Sequence, residues 1–124
     1  MVTDELRTLA EIVAQWADKT PGLRVVYLFG SRVRGDHRPD SDVDLCIFTK
    51  DLANDHGTTV WWTGQNDSSF GGLKSKLRAR GVRGRLEVHR DPFDEVTAAI
   101  DRGEAECVLT VRKVCCMFMP PKAF

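Results

Sequence analysis

The sequence predicts an α/β (α+β) domain, a small mixed β-sheet with helices packed against it. Two strand-like apolar segments, residues 24–29 and 43–48, alternate with segments of helical periodicity. Strands that alternate with helices favour a layered architecture of sheet and helix. A chain of 124 residues is expected to form a single domain over residues 1–124 and to bury a substantial core.

The N-terminal half contains three predicted elements. Residues 4–17 place apolar side chains at helical spacing, begin with acidic residues and precede Pro21 and Gly22, which predicts an amphipathic helix. Residues 24–29 and 43–48 are rich in β-branched and aromatic side chains, which is typical of buried strands.

The C-terminal half is less regular. Residues 50–69 are polar and glycine-rich and predict no clear element. The periodicity then predicts four elements: a basic helix at 70–81, a strand at 83–89, a helix at 91–102 and a last strand at about 107–114. The central region, about 24–109, is followed by this C-terminal strand and an apolar tail over about 107–124. The tail, with Met117, Phe118, Met119 and Phe124, predicts contacts with a partner or a second copy.

Charge, cysteine content and apolar runs limit the function classes. The 18 basic residues balance the 18 acidic ones, so net charge does not support nucleic-acid binding, although a local site for it stays possible. No apolar run approaches the about 20 residues that span a bilayer, and no signal peptide is visible. The four cysteines lack the spacing of a zinc site. We therefore expect a soluble cytoplasmic protein without a membrane partner.

A glycine-serine turn follows the first predicted strand. Gly30 lets an anion approach the backbone closely, and the start of a helix directs N–H groups towards it. Ser31 adds a hydroxyl donor, and Arg32 adds positive charge on the same segment. The turn therefore predicts a phosphate site, although an ordinary strand-to-helix turn with a serine cap is also compatible with these residues.

Two acids stand at the start of the second predicted strand. Asp42 and Asp44 are two residues apart, so strand alternation directs both carboxylates to one face while Val43 and Leu45 face the other way. At about 6 Å and an effective dielectric constant of about 20, their repulsion is about 3 kcal/mol. A Mg²⁺ ion would offset this repulsion. A solvated acidic loop is the alternative interpretation.

The same acids also resemble the start of a calcium-binding loop. An EF-hand loop that begins at Asp40 needs glycine at its sixth position and glutamate at its twelfth. This chain has Leu45 and Asp51 there, and an apolar strand follows where a helix is required. The sequence therefore excludes this interpretation.

The turn and the acids together form a longer pattern. In "GSRVRGDHRPDSDVDL", ten residues separate Gly30 and Ser31 from Asp42, and one valine separates Asp42 from Asp44. This pattern resembles the signature of nucleotidyltransferases of the DNA polymerase β superfamily. It is most similar to the minimal nucleotidyltransferases (MNT), small antitoxins that are paired with a HEPN toxin. The resemblance covers residues 24–109 and implies a nucleotidyltransferase fold.

The resemblance also implies roles for individual residues. The family has a third carboxylate on a later strand, and Glu87 is the candidate here, although aspartate is more usual and a solvent-facing residue is the alternative. Asp42 and Asp44 would hold two Mg²⁺ ions, and Glu87 would complete one metal site and deprotonate the attacking hydroxyl. Gly30 and Ser31 would bind the triphosphate of ATP.

The implied reaction moves AMP from ATP to an acceptor hydroxyl. By resemblance, the acceptor is a tyrosine of a HEPN toxin, which would make this chain an antitoxin that acts by adenylylation (AMPylation). Small aminoglycosides and RNA ends are alternative acceptors, and a non-catalytic module that masks its partner is the alternative function.

Two further features are less specific. The basic run from Lys74 to Arg85 favours a solvated helix face over an RNA-binding surface. Trp61 and Trp62 are compatible with stacking on a base, but burial in a core is the commoner role of tryptophan.

Overall fold

The computed structural model describes residues 2–20, 22–49, 67–90 and 94–119. These residues form a five-stranded mixed sheet with helices, which confirms the predicted fold class. The elements are α1 (Asp4–Asp18), β1 (Leu23–Phe29), α2 (Ser31–Arg34), β2 (Val43–Thr49), α3 (Asp67–Ala79), β3 (Leu86–Arg90), α4 (Asp94–Asp101), β4 (Glu106–Val111) and β5 (Val114–Phe118). Trp61 and Trp62, for which the sequence favours burial over base stacking, lie outside the described residues.

The strand order of the sheet is β3-β2-β1-β5-β4. The central strand, β1, runs antiparallel to β2 and parallel to β5. On one side β3 runs parallel to β2, and on the other β4 runs antiparallel to β5. Leu23, Val26 and Leu28 of β1 are completely buried, as expected for the middle strand of a sheet.

The first helix is fixed at both ends and packs on the sheet. The Thr3 hydroxyl accepts a hydrogen bond from the Leu6 N–H at 3.0 Å, which caps the N-terminus of α1. At the other end the Thr20 hydroxyl donates to the Trp16 carbonyl at 2.8 Å. The Trp16 ring lies 5.7 Å from the Phe70 ring, centroid to centroid, so α1 and α3 cover the same face of the sheet.

The two faces of β2 pack into different clusters. Val43 and Leu45 belong to the main core with α1 and α3. Cys46 belongs to a smaller cluster on the other face, which includes Ala99 of α4. Because side chains alternate along a strand, Asp44 shares the face of Cys46. The carboxylate of Asp44 therefore points away from the main core.

The C-terminal segment differs from the prediction of one strand at 107–114. It forms two antiparallel strands, β4 and β5, joined by a tight turn in which Arg112 has a φ of 51°. The Arg112 guanidinium also pairs with Asp18 at the end of α1, with 2.5 Å from Nε to Oδ2. The turn was missed because β-branched residues run through both strands without a glycine or proline between them.

Part of the apolar tail belongs to the hydrophobic core of the sheet. Met117 and Met119 are buried in the smaller cluster, and Phe118 packs against the main one. Their apolar character is therefore explained by the sheet itself. Phe124 lies outside the described residues, and the predicted partner contacts of the tail stay a prediction.

The cysteines occupy two kinds of environment. Cys107 and Cys115 form a disulfide across β4 and β5, with Cα atoms 6.1 Å apart. Disulfides persist in oxidising compartments, so this bond does not support the predicted cytoplasmic location, which stays a prediction. Cys46 and Cys116 are buried thiols. Burial raises the pKa of Cys116 to about 11.

No helix within residues 2–20, 22–49, 67–90 and 94–119 has both the length and the apolar character needed to cross a bilayer.

The raised pKa of Cys116 predicts a loss of stability in alkali. The folded protein retains a proton that the unfolded chain releases near its ordinary pKa of 9.0, so the contribution is complete below that pH. It is lost as the pH rises through about 11, and it amounts to about 2 kcal/mol. Urea unfolding between about pH 8 and pH 11 should show a flatter pH dependence in Cys116→Ala than in the wild type. Equal slopes would contradict the prediction.

Candidate functional site

The register of three strands aligns the predicted site residues. Phe29, the last residue of β1, pairs with Asp44 of β2, and Asp44 pairs in turn with Glu87 of β3. Neighbouring strands lie about 4.8 Å apart. The Gly30 turn, Asp44 and Glu87 therefore form one row across three adjacent strands.

The Gly30 turn is in close contact with Asp44. Gly30 has a φ of 87° and a ψ of −160°, a conformation that is accessible almost only to glycine. A Cβ atom at this position would overlap the carboxylate of Asp44 and lie 3.1 Å from its Cγ. The backbone conformation and the neighbouring carboxylate therefore both require glycine here.

The helix after the turn is very short. The N–H groups of Val33 and Arg34 both donate to the Gly30 carbonyl at 3.1 Å, and Gly35 ends the helix after one turn. A single turn has only a small macrodipole, so helix α2 contributes less to anion binding than the sequence suggests. Anion binding at this turn would depend mainly on the half-buried Ser31 hydroxyl and on nearby backbone N–H groups.

The side chain of Arg32 is not directed to the carboxylates of Asp42, Asp44 and Glu87. Its side chain is buried and donates to the Pro39 carbonyl at 3.1 Å and to the Ser41 carbonyl at 2.9 and 3.2 Å. It also lies 3.7 Å from Glu5 of α1. Arg32 therefore fixes the loop that precedes Asp42. The predicted contact of Arg32 with a nucleotide stays a prediction.

Gly84 fixes the same loop from the other side. A Cβ atom at Gly84 would collide with the Ser41 carbonyl and lie 3.2 Å from the Asp42 nitrogen. The Val43 N–H also donates to the Arg85 carbonyl at 2.8 Å, which continues the β2–β3 pairing up to this loop. The position of Asp42 therefore depends on a glycine that the sequence did not single out.

Arg85 lies between two of the predicted metal ligands. Its guanidinium Nη2 is 3.7 Å from Asp42 Oδ2 and 2.5 Å from Glu87 Oε1. The Arg85 side chain is 75% exposed, against 42% for Asp42 and 35% for Glu87, so water screens both ion pairs. The sequence contained a signal for this contact, because Arg85 stands two residues before Glu87 and shares its face of the strand.

The carboxylates of Asp42, Asp44 and Glu87 do not form a closed metal-binding cluster in this structure. Within the described parts of the chain, no three histidine, cysteine or acidic side chains are close enough to hold an ion. Arg85 contacts Asp42 and Glu87, while Asp44 lies against Gly30. The carboxylates of Asp44 and Glu87 on this row, with Asp42 just before β2, are nevertheless the hard oxygen donors that suit Mg²⁺. The chemistry of this donor set therefore fits that ion, with Arg85 as a competing cation.

Two glycines with similar backbones provide a test of the Gly30 contact. Gly30 and Gly35 both have positive φ, but a Cβ at Gly35 meets nothing within 4 Å. We expect Gly35→Ala to cost about 1 kcal/mol of unfolding free energy, from backbone strain alone. Gly30→Ala should cost about 2 kcal/mol or more and abolish the rise in melting temperature caused by ATP with Mg²⁺. Equal losses in the two variants would contradict the contact with Asp44.

Removing Arg85 should expose the carboxylates to metal ions. In Arg85→Gln, Asp42 and Glu87 lose their shared cation and should bind a divalent ion more tightly. We expect the Kd for Mn²⁺, measured by electron paramagnetic resonance without nucleotide, to fall about three- to tenfold at low ionic strength. Arg83→Gln is the control, since it removes the same charge from an exposed side chain and should leave this Kd unchanged. Unchanged or weaker Mn²⁺ binding in Arg85→Gln would show that Arg85 does not compete with metal.

Comparison with known proteins identifies the family of this chain. A search among curated proteins finds no match. A crystal structure of a "putative nucleotidyltransferase" from Sulfolobus solfataricus is 26% identical and aligns over 79% of this chain and 75% of its own, with a TM-score of 0.36. That TM-score is too low to support an argument about this chain. Residues 6–103 match the family described as the nucleotidyltransferase domain. Because this match covers most of the 124 residues, the chain belongs to the nucleotidyltransferase domain family.

Proposed function

We propose that this protein is a Mg²⁺-dependent nucleotidyltransferase that moves AMP from ATP to a hydroxyl of a partner protein. Membership of the nucleotidyltransferase family supports nucleotidyl transfer in general. The observation that carries the proposal is the row in which the Gly30 turn, Asp44 and Glu87 stand side by side on three strands. This row places a strand-to-helix turn, with the half-buried Ser31 hydroxyl beside it, next to the carboxylates that a metal-dependent transfer needs.

The chain's own residues position the reactants. Gly30 would admit the triphosphate of ATP close to the backbone, and the Ser31 hydroxyl would donate to a phosphate oxygen. Asp42, Asp44 and Glu87 would hold two Mg²⁺ ions, which lower the pKa of the attacking hydroxyl and stabilise the departing pyrophosphate. Protein groups contribute mainly positioning and charge to such a reaction.

The transfer exchanges one phosphorus–oxygen bond for another. The acceptor oxygen bonds to the α-phosphorus of ATP while the bond from that phosphorus to the pyrophosphate oxygen breaks. Glu87 would accept the proton of the hydroxyl, in the role of a general base. The products are AMP joined to the acceptor and free pyrophosphate.

The acceptor would come from a separate protein. The described residues form one sheet with its helices, and no second domain that could hold an acceptor is present among them. The resemblance of residues 24–109 to minimal nucleotidyltransferases favours a HEPN-family toxin, modified on a tyrosine, which would make this chain its antitoxin. RNA ends and small molecules are the alternative acceptors, and a purely masking role is the alternative function.

Substitution of Asp44 distinguishes a catalytic role of this residue from a structural one. Asp44→Asn keeps the shape of the side chain but removes a charge, so AMP transfer should collapse. The metal-free protein should be as stable as the wild type, or more stable by about 1 kcal/mol, because carboxylate repulsion decreases. The measurements are transfer from labelled ATP and melting curves in chelator. Asp36→Asn, which removes an exposed acid that pairs only with Arg34 among the described residues, should retain transfer.

A purely structural role for Asp44 would refute the proposal. If Asp44 has only a structural role, Asp44→Asn would lower the unfolding free energy by about 1 kcal/mol or more and leave transfer intact.

The acceptor is tested by intact-protein mass spectrometry of a co-purified partner, which should detect one added adenylyl group. A partner that is inhibited but never modified would indicate a masking module and overturn the catalytic proposal.

A further inference from the structure

We infer that a basic pocket between α3 and β3 binds an acidic segment of the acceptor protein. The inference rests on the proposed function, because it identifies the chemistry of the partner in that reaction. The pocket is a cavity of about 110 Å³. We call it the α3–β3 pocket, and its principal lining residues are Lys74, Leu77, Arg78, Val82, Arg85 and Leu86.

The rim of the α3–β3 pocket is positively charged. Lys74 and Arg78 are exposed and stand one turn apart on the same side of α3. No carboxylate in the described residues pairs with either side chain, and the stretch 70–86 contains six basic residues and no acidic one. The pocket therefore has local positive charge in a chain whose net charge is zero.

The floor of the α3–β3 pocket is apolar. Leu77 is buried, and Val82 and Leu86 pack against the main core, so the cations surround a hydrocarbon surface. A single nucleic-acid strand is commonly held by phosphate contacts together with aromatic surfaces for its bases, and no aromatic side chain among the described residues lines the pocket. An apolar side chain flanked by carboxylates matches a cationic rim around an apolar floor. An acidic peptide segment is therefore the favoured occupant.

The α3–β3 pocket and the carboxylates lie on different faces of β3. Leu86, in the floor of the pocket, packs against the main core, whereas Glu87, the next residue, shares the face of Asp44. Arg85 connects the two regions, since it lines the pocket and contacts Glu87.

Peptide binding can be measured without catalysis. The probe is a fluorescein-labelled peptide with one tyrosine between two pairs of glutamates, and the protein carries Asp44→Asn. In this background, Lys74→Gln with Arg78→Gln should weaken binding about five- to tenfold at low salt, as measured by fluorescence anisotropy. The control pair, Arg7→Gln with Arg24→Gln, removes the same charge from exposed positions away from the pocket and should change the Kd less than about twofold.

Three outcomes would overturn the inference. These are equal losses in the two double variants, equal binding of a peptide with glutamine in place of glutamate, and tighter binding of a single-stranded RNA oligonucleotide that depends on Lys74 and Arg78. In the active enzyme, the pocket variant should raise the KM for the partner and preserve kcat. Failure of peptide binding with transfer intact would remove only this inference, whereas absent transfer with peptide binding intact would remove only the proposed function.

Discussion

The hydrogen-bonded register of β1, β2 and β3 is the constraint on which the site depends. A slip of one residue between two strands would turn every side chain of the moving strand to the opposite face. Here the slip is opposed by the complete burial of Val43, Leu45 and Ile47 against the helices. The hydrophobic effect that secures these three side chains therefore also fixes the carboxylate of Asp44 on the other face, against the Gly30 turn.

Arg32, which is buried, and Arg85, which is exposed, have different roles near the row formed by the Gly30 turn, Asp44 and Glu87. The guanidinium of Arg32 is enclosed, and its hydrogen bonds to Pro39 and Ser41 satisfy carbonyls of the loop before β2. Arg85 is exposed, and its ion pairs with Asp42 and Glu87 are screened by water. A buried arginine with several hydrogen bonds maintains the shape of the site, whereas an exposed one can leave its partners at little cost. This difference is why we assign a structural role to Arg32 and a mobile one to Arg85.

The sheet also separates the two regions that we assign to the reactants. The Gly30 turn lies against the carboxylate of Asp44, whereas the floor of the α3–β3 pocket packs against the main core on the other face. Asp44 is paired with Phe29 in one direction and with Glu87 in the other. Arg85, which lines the pocket and contacts Glu87, is a side chain that the two regions share.

Local patterns in the sequence determined much of this protein. Helical spacing identified α1, and β-branched runs identified β1 and β2, because the periodicity of a half-buried element is visible in the sequence itself. The glycine-serine turn and the two-residue spacing of Asp42 and Asp44 were visible for the same reason. The turn at Arg112 was not, because no glycine or proline marks it. The family resemblance placed Glu87 with the two aspartates, but only the tertiary structure could show the strand register that pairs it with Asp44. Only the tertiary structure could also show that Arg85 joins Asp42 to Glu87, and that Gly84 and Arg32 hold the same loop from two sides. These contacts join residues that are distant along the chain, and the sheet register that creates them is a property of the whole core rather than of any one segment.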